Sequence, residues 1–206
     1  MKEMKFSDTS NIFFTSDTHF NHKNIILYCQ RPFDTIEKMN EAIIANWNKT
    51  VPQDGIVFHL GDFALGGSEA WNKVLPRLNG QIHLILGNHD MKNFRQGYAE
   101  HFASVQEQLT VEIGKKKLIL THFPLLCYHG TWGTEMNVWN LHGHVHICKH
   151  KEANSGKDFE RMKLAFPTQY DVGMDLNDYT PISFDKVKER IKYQIEHNTT
   201  ELHWIK

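Results

Sequence analysis

Ile82-His83-Leu84-Ile85-Leu86-Gly87-Asn88-His89-Asp90 is the stretch that orients the reading of this chain. The apolar run is short, bounded by Asn79-Gly80 in front and Gly87 behind, and so has the pattern of a buried strand ending in a tight turn. The turn then presents an amide, an imidazole and a carboxylate on consecutive residues. Each would cost a few kcal/mol if buried without a partner. A cleft in which something polar or ionic meets them is the natural setting, and the rest of the chain can be searched for groups that converge on it.

Upstream, Asn11-Ile12-Phe13-Phe14-Thr15-Ser16 is a strand delivering Asp17-Thr18-His19, and Ile56 to Leu60 is a second strand delivering Gly61-Asp62. In extended backbone, positions 17 and 19 point the same way and can share one target. Between the strands lie a short helix over Asn24 to Gln30, stopped by Pro32, and an amphipathic helix over 35–48. The longer helix is opened by an Asp34/Glu37 capping box. A further helix, Ser68 to Leu75, ends at Pro76 and precedes the strand Gln81 to Leu86. This β-α-β-α-β order predicts a parallel sheet with its site at the carboxyl edge.

Downstream, a helix is expected within 92–101. Val105 to Ile113 and Lys117 to Leu120 read as the arms of a hairpin around Gly114-Lys115-Lys116, the second arm ending in Thr121-His122. An irregular connection over Leu126 to Asn137 leads to Trp139-Asn140-Leu141-His142-Gly143-His144-Val145-His146, another short strand with histidines at its end. Arg161 to Val172 reads as more strand, and Ser183 to Ile195 as a final helix.

Composition bounds the answer. The chain has 206 residues and reads as one domain over 1–206; Lys+Arg 23 against Asp+Glu 24 gives a net charge of -1. Nothing in that balance favours wrapping nucleic acid or lying on an acidic membrane. The 3 cysteines are scattered and suit a reducing compartment. No run approaches the roughly 18–20 apolar residues needed to cross a bilayer, so a cytoplasmic location is expected. Histidine is abundant, at 14 residues, and many of these recur at strand ends.

Those ends together offer Asp17, His19, Asp62, Asn88, His89, His122, His144 and His146. Carboxylate, imidazole and an amide oxygen without thiolate suit borderline divalent ions such as Mn, Fe, Zn, Co or Ni. Setting His89 aside, the seven potential ligands exceed what one open catalytic ion uses, and are enough for two. His59 and His142 fall at packed positions of the strand alternation. His22, Lys23 and Arg31 follow the first motif and are placed to reach a substrate, Arg31 by a bidentate grip on a phosphate oxygen. Tyr128, His129 and Trp132 are candidates for a wall against which a base or aromatic ester stacks.

In order, Asp17-x-His19, Gly61-Asp62, Gly87-Asn88-His89-Asp90, His122 and Gly143-His144-x-His146 closely resemble the motifs of the calcineurin-like metallophosphoesterases, in particular the small bacterial or phage-type members. The resemblance implies a four-layer α/β/β/α sandwich with two central mixed β-sheets. It also implies two divalent ions, manganese first among them. Asp62 would bridge the pair, with Asp17, His19 and His146 on one ion and Asn88, His122 and His144 on the other. A hydroxide between the ions would attack phosphorus in line, and His89, steadied by Asp90, would protonate the leaving oxygen. The expected substrate is a small phosphate mono- or diester, nucleotides included. A nuclease, for which the chain lacks a basic tract, a non-catalytic scaffold of the same fold and a metal-storage protein are the competing readings.

Overall fold

The computed structural model describes residues 3–91, 98–130, 136–148 and 156–205. The strands β2 (Ile12–Thr15), β3 (Ile56–His59) and β4 (Gln81–Ile85) run parallel, in the registers Phe13↔Val57 and Val57↔Ile82. Parallel strands need crossovers, and α2 (Ile36–Thr50) and α3 (Gly67–Val74) supply them after the single turn of α1 (Ile25–Tyr28). The first sheet is completed by β5 (Ser104–Gln106), parallel to β4, and by the short antiparallel β10 (Ile182–Ser183) on the opposite edge. The second sheet has the order β1 (Glu3–Phe6), β6 (Gln108–Ile113), β7 (Lys116–Thr121), β8 (Val138–His142), β9 (Gln169–Asp171). Both sheets are mixed.

Strand alternation sorts the apolar side chains into two cores. Ile12, Phe14, Phe58 and Ile85 face Leu109, Val111, Leu118, Leu120 and Leu141 across the gap between the sheets. Phe14 and Phe58 stack there at 5.6 Å. On the other face of the first sheet, Phe13, Val57, Ile82 and Leu84 meet the α2 stripe Met39, Ile43, Ile44 and Trp47 and the α3 residues Ala70, Trp71 and Val74. The last helix, α5 (Phe184–Glu196), adds Phe184, Val187 and Ile191 to the inter-sheet core. Its Gln194 donates to the carbonyls of Pro167 and Gln169 at the end of the second sheet. The layering is α/β/β/α, as the resemblance implied.

Four expectations change. The N-cap of α2 is Thr35, whose hydroxyl accepts the Lys38 N–H at 3.3 Å; Asp34 instead pairs with the Lys38 ammonium. Val105 to Ile113 is not one hairpin arm: exposed Glu107 marks the bend at which the chain leaves the first sheet and enters the second. Only β6 and β7 form the hairpin, closing at Ile113↔Lys116. Arg161 to Val172 contains strand only at β9, because its start belongs to α4 (Gly156–Met162). Phe159 and Met162, three apart, place one side of that helix on the core, the helical period that the apolar run after it obscured. Of the helix expected within 92–101, Tyr98–His101 is a 3-10 turn and 92–97 lie outside the described residues. No helix among the described residues is long and apolar enough to cross a membrane.

Candidate metal centre

The loops after β2, β3, β4, β7 and β8 meet at one edge of the two sheets. The chain continues to pair past the strand ends, with Asp17 N–H on the Gly61 carbonyl at 2.9 Å and His19 N–H on that of Asp62 at 3.0 Å. It does so in unusual conformations. Asp17, His19, Asp62, His144 and His146 all have positive φ, between 48° and 72°. This overturns the expectation that 17 and 19 converge because the backbone is extended: each turns inward through a left-handed residue. Such backbone costs on the order of 1–3 kcal/mol per residue and persists only where its surroundings over-determine it.

Hydrogen bonds and close packing do so here. The Asp90 carboxylate accepts three backbone N–H groups, from Asp62 at 2.7 Å, Phe63 at 2.9 Å and Gly87 at 2.9 Å. Asp62 accepts His89 N–H at 2.8 Å, and Asp17 accepts His144 N–H at 2.9 Å. Gly87 and Gly143 are dictated by these carboxylates, since a Cβ at Gly87 would collide with Asp62 Oδ1 and one at Gly143 with Asp17 Oδ2 and Ser16 Oγ.

Two groups of donors result at this edge, beside a third made of Cys29, His146 and Asp175. Single atoms of Asp17, His19 and His146 lie within 4.8 Å of one another, and so do atoms of Asp62, His122 and His144. Asn88 Oδ1 is 3.1 Å from His122 Nε2, which joins it to the second group. Asp62 Oδ2 lies 3.6 Å from His19 Nε2 and 3.6 Å from His122 Nε2, so one carboxylate faces both groups. The donor set fits divalent cations on three counts. Asp17 Oδ1 is buried without a hydrogen-bond partner. His122 Nδ1 is held by the Leu60 carbonyl at 2.7 Å and His146 Nδ1 by Asp175 at 2.9 Å, which turns the Nε2 atoms inward as bases. His19 and His146 also present their Nε2 atoms to each other at 3.3 Å, a contact that needs a proton or a metal between them.

The electrostatics have the same origin. Burial, reinforced by Asp17, pushes the Asp62 carboxyl up to about 7. Burial raises Asp17 too, but His146 and His122 outweigh it and hold that carboxyl below the usual value. Burial and the positive charges of His146 and Arg31 drive His19 well down. Burial would also lower His146, yet Asp17 and Asp175 raise it well above an ordinary imidazole. His89 is lowered by burial and by His122 and His146. Of these groups Asp62 and His146 hold protons more tightly than usual, and a bound divalent ion would displace them.

The cavity over these groups is about 420 Å³ and includes His19, His22, Asp62, Asn88, His89, His144 and His146 in its wall. His22 lines the cavity, its Nδ1 3.2 Å from His19 Nδ1. Three other expectations are corrected. Arg31 does not face substrate: it is buried, bonded to Asp175 through Nε at 2.8 Å and Nη2 at 2.9 Å, and donates to the carbonyls of Asp17 and Thr18. Asp90 makes no hydrogen bond to the His89 ring among the described residues; its oxygens accept the three backbone N–H groups instead. Tyr128 is outside the cavity wall, its hydroxyl on Thr168 Oγ1 at 2.5 Å. Trp132 lies outside the described residues. His59 is packed on Thr18 at 3.0 Å, and His142 is packed 3.3 Å from Glu201, which lifts its imidazole to about 9 against the effect of burial. The residue that sequence reasoning passed over is Asp175. Its signal was present: Gly173-Met174-Asp175 follows a strand just as Gly61-Asp62 does.

Comparison with known proteins agrees with this geometry. The chain is 33% identical to an uncharacterized protein of Methanocaldococcus jannaschii over 88% of its own length and 91% of the relative's. It is 28% identical to the gene 66 protein of Mycobacterium phage D29, over 88% of this chain and 96% of that one. A crystal structure of a protein of unknown function from Aquifex aeolicus superposes with a TM-score of 0.65 at 24% identity, covering 86% of this chain and 97% of the other, and so shares the fold. A family model of the calcineurin-like phosphoesterases matches residues 10–194. With nearly the whole chain inside that match and its donors gathered at one sheet edge, this protein belongs to the calcineurin-like phosphoesterase family.

Proposed function

We propose that the chain is a dinuclear-metal-dependent phosphoesterase acting on small phosphate mono- or diesters. The observation that carries this is the Asp62 carboxylate, buried and facing His19 and His122 at equal 3.6 Å distances. In this reading Asp17, His19 and His146 would hold one ion, Asn88, His122 and His144 the other, and Asp62 would serve both; manganese is the first choice. When bound, the ions acidify water and neutralise charge on the phosphoryl oxygens. The chain's own residues do the rest. His89, on the turn beside Asn88 with its ring at the cavity wall, gives its proton to the departing oxygen. His22 flanks it at a ring separation of 5.9 Å and walls the cleft. Asp175 and the Leu60 carbonyl hold two of the imidazoles in the tautomer that leaves Nε2 basic. We also take residues 1–206 as one domain working in a reducing, cytoplasmic compartment, which the three cysteines, not paired with one another, support.

The test is turnover of bis-p-nitrophenyl phosphate by manganese-loaded protein, with bound metal counted in parallel. Asp62→Asn should lose activity by on the order of 10³-fold or more, since several kcal/mol of charge stabilisation disappear. A variant that kept full activity would remove the basis of the reading.

A further inference from the structure

A second cavity, of about 490 Å³, opens beside the candidate metal centre and shares part of its wall. His144 and Val145 line both. The rest of its wall includes Phe123, Leu125, Leu126, Met162 and Leu164. Phe123 stands against the His144 ring with 4.5 Å between centroids, so the apolar wall begins where the metal-facing imidazole ends. Leu126 and Leu164 are 75% and 67% exposed, and Phe123 is 49% exposed. Leucines left in water to that extent, both on the wall of one concavity of ligand size, mark a binding surface rather than stray surface residues.

The polar groups of the wall narrow what fits. Gln169 is the one amide side chain on it, and that amide is occupied: Nε2 donates to the Leu125 carbonyl at 2.9 Å and Asn140 Oδ1 at 3.0 Å, while Oε1 accepts Phe166 N–H at 2.8 Å. Asp158 and Arg161 neutralise each other at 2.6 Å. A nucleobase therefore finds no unoccupied side-chain amide on this wall to read its edge, and a second phosphate finds no uncompensated cation among the described residues that line it. We infer that this cavity is a subsite for the non-leaving organic group of the substrate, and that the group is apolar: an aryl or alkyl substituent ester-linked to the phosphorus held at the metal centre. The inference rests on the phosphoesterase reading and names the substrate class within it.

The test keeps one leaving group and varies the other substituent. The p-nitrophenyl diesters of ethyl, 1-naphthyl and thymidine 5′-phosphate are compared by kcat/KM, and binding of 1-naphthylphosphonate and methylphosphonate to the metal-loaded protein is measured by calorimetry. The naphthyl ester should exceed both others by ~10-fold or more. The naphthyl-to-ethyl ratio should fall toward one in Leu164→Asp and Leu126→Asp, and the naphthylphosphonate preference should fall with it. Equal kcat/KM and equal phosphonate binding would overturn the subsite while leaving the hydrolase standing. No turnover of any ester, with the naphthylphosphonate preference intact and lost in the two variants, would sink the hydrolase reading and keep the subsite. A preference for the thymidine ester overturns the apolar assignment. So does a change of sedimentation in the variants without a change of selectivity, which would make the leucines a contact between copies of the chain.

Discussion

Asp175 holds two residues at once: its oxygens take Arg31 Nε and Nη2, and Oδ2 also takes His146 Nδ1. With Arg31 only 3% exposed, removing the carboxylate leaves a guanidinium buried without its counter-charge, a change that costs about 3–5 kcal/mol. Asp175→Ala should therefore lower unfolding free energy by that amount in urea titrations; a loss under about 1 kcal/mol would show that Arg31 is satisfied by the backbone carbonyls alone. At His89 the expectation is kinetic. His89→Ala should leave the bound-metal content unchanged and lose about 10²–10⁴ in rate, with the smaller loss on p-nitrophenyl esters, whose leaving group needs little protonation. Equal losses on good and poor leaving groups would count against the acid role. At this scale the sequence showed the polar strand ends and hid their supports. A donor set after a strand leaves a local signature. The Arg31–Asp175 pair spans 144 positions, and the bonds of Asp90 go to backbone groups that any residue could supply.

Elements were legible where one period ran uninterrupted. In α2, Met39, Ile43, Ile44 and Trp47 recur at helical spacing and are all buried. The parallel strands β2, β3 and β4 were readable because both of their faces are covered and their apolar runs are bounded by turns. Ends were less so. Thr35, not Asp34, caps α2, since only the Thr35 hydroxyl reaches the Lys38 amide. Thr35→Ala should cost about 1 kcal/mol in a thermal or denaturant melt, and Asp34→Ala less. The opposite ranking would restore the capping box. The failure at Glu107 has a different cause. Val105, Leu109, Val111 and Ile113 keep one alternation across a change of sheet, and only the exposed acid between them marks the crossing. The strand β1 carries Glu3 and Lys5, so pairing with β6 rather than apolar content makes it a strand.

For the whole molecule, the centre is where stability and function are most tightly linked. Five left-handed residues and several charged or protonatable side chains are gathered at one edge, and a cation bound there would offset the repulsion between the Asp17 and Asp62 carboxylates. Manganese should raise the melting temperature, with each site contributing about 2.7 kcal/mol at a hundredfold excess over its dissociation constant, and chelation should reverse the shift. A melting curve indifferent to both would show that these donors do not hold an ion in the native state.

The two sheets also exchange their outermost strands. The first strand of the chain borders the second sheet, the short strand ahead of the last helix borders the first, and the passage between sheets falls at Glu107. A cut there yields halves that each keep the other's edge: one carries Asp17, His19, Asp62 and Asn88, the other His122, His144 and His146. Neither fragment holds a complete cage, and each exposes a strand flank that its mate was built to cover. Joined in one test tube, they are laced rather than merely adjacent, so this fold lends itself to a split reporter whose signal requires both pieces.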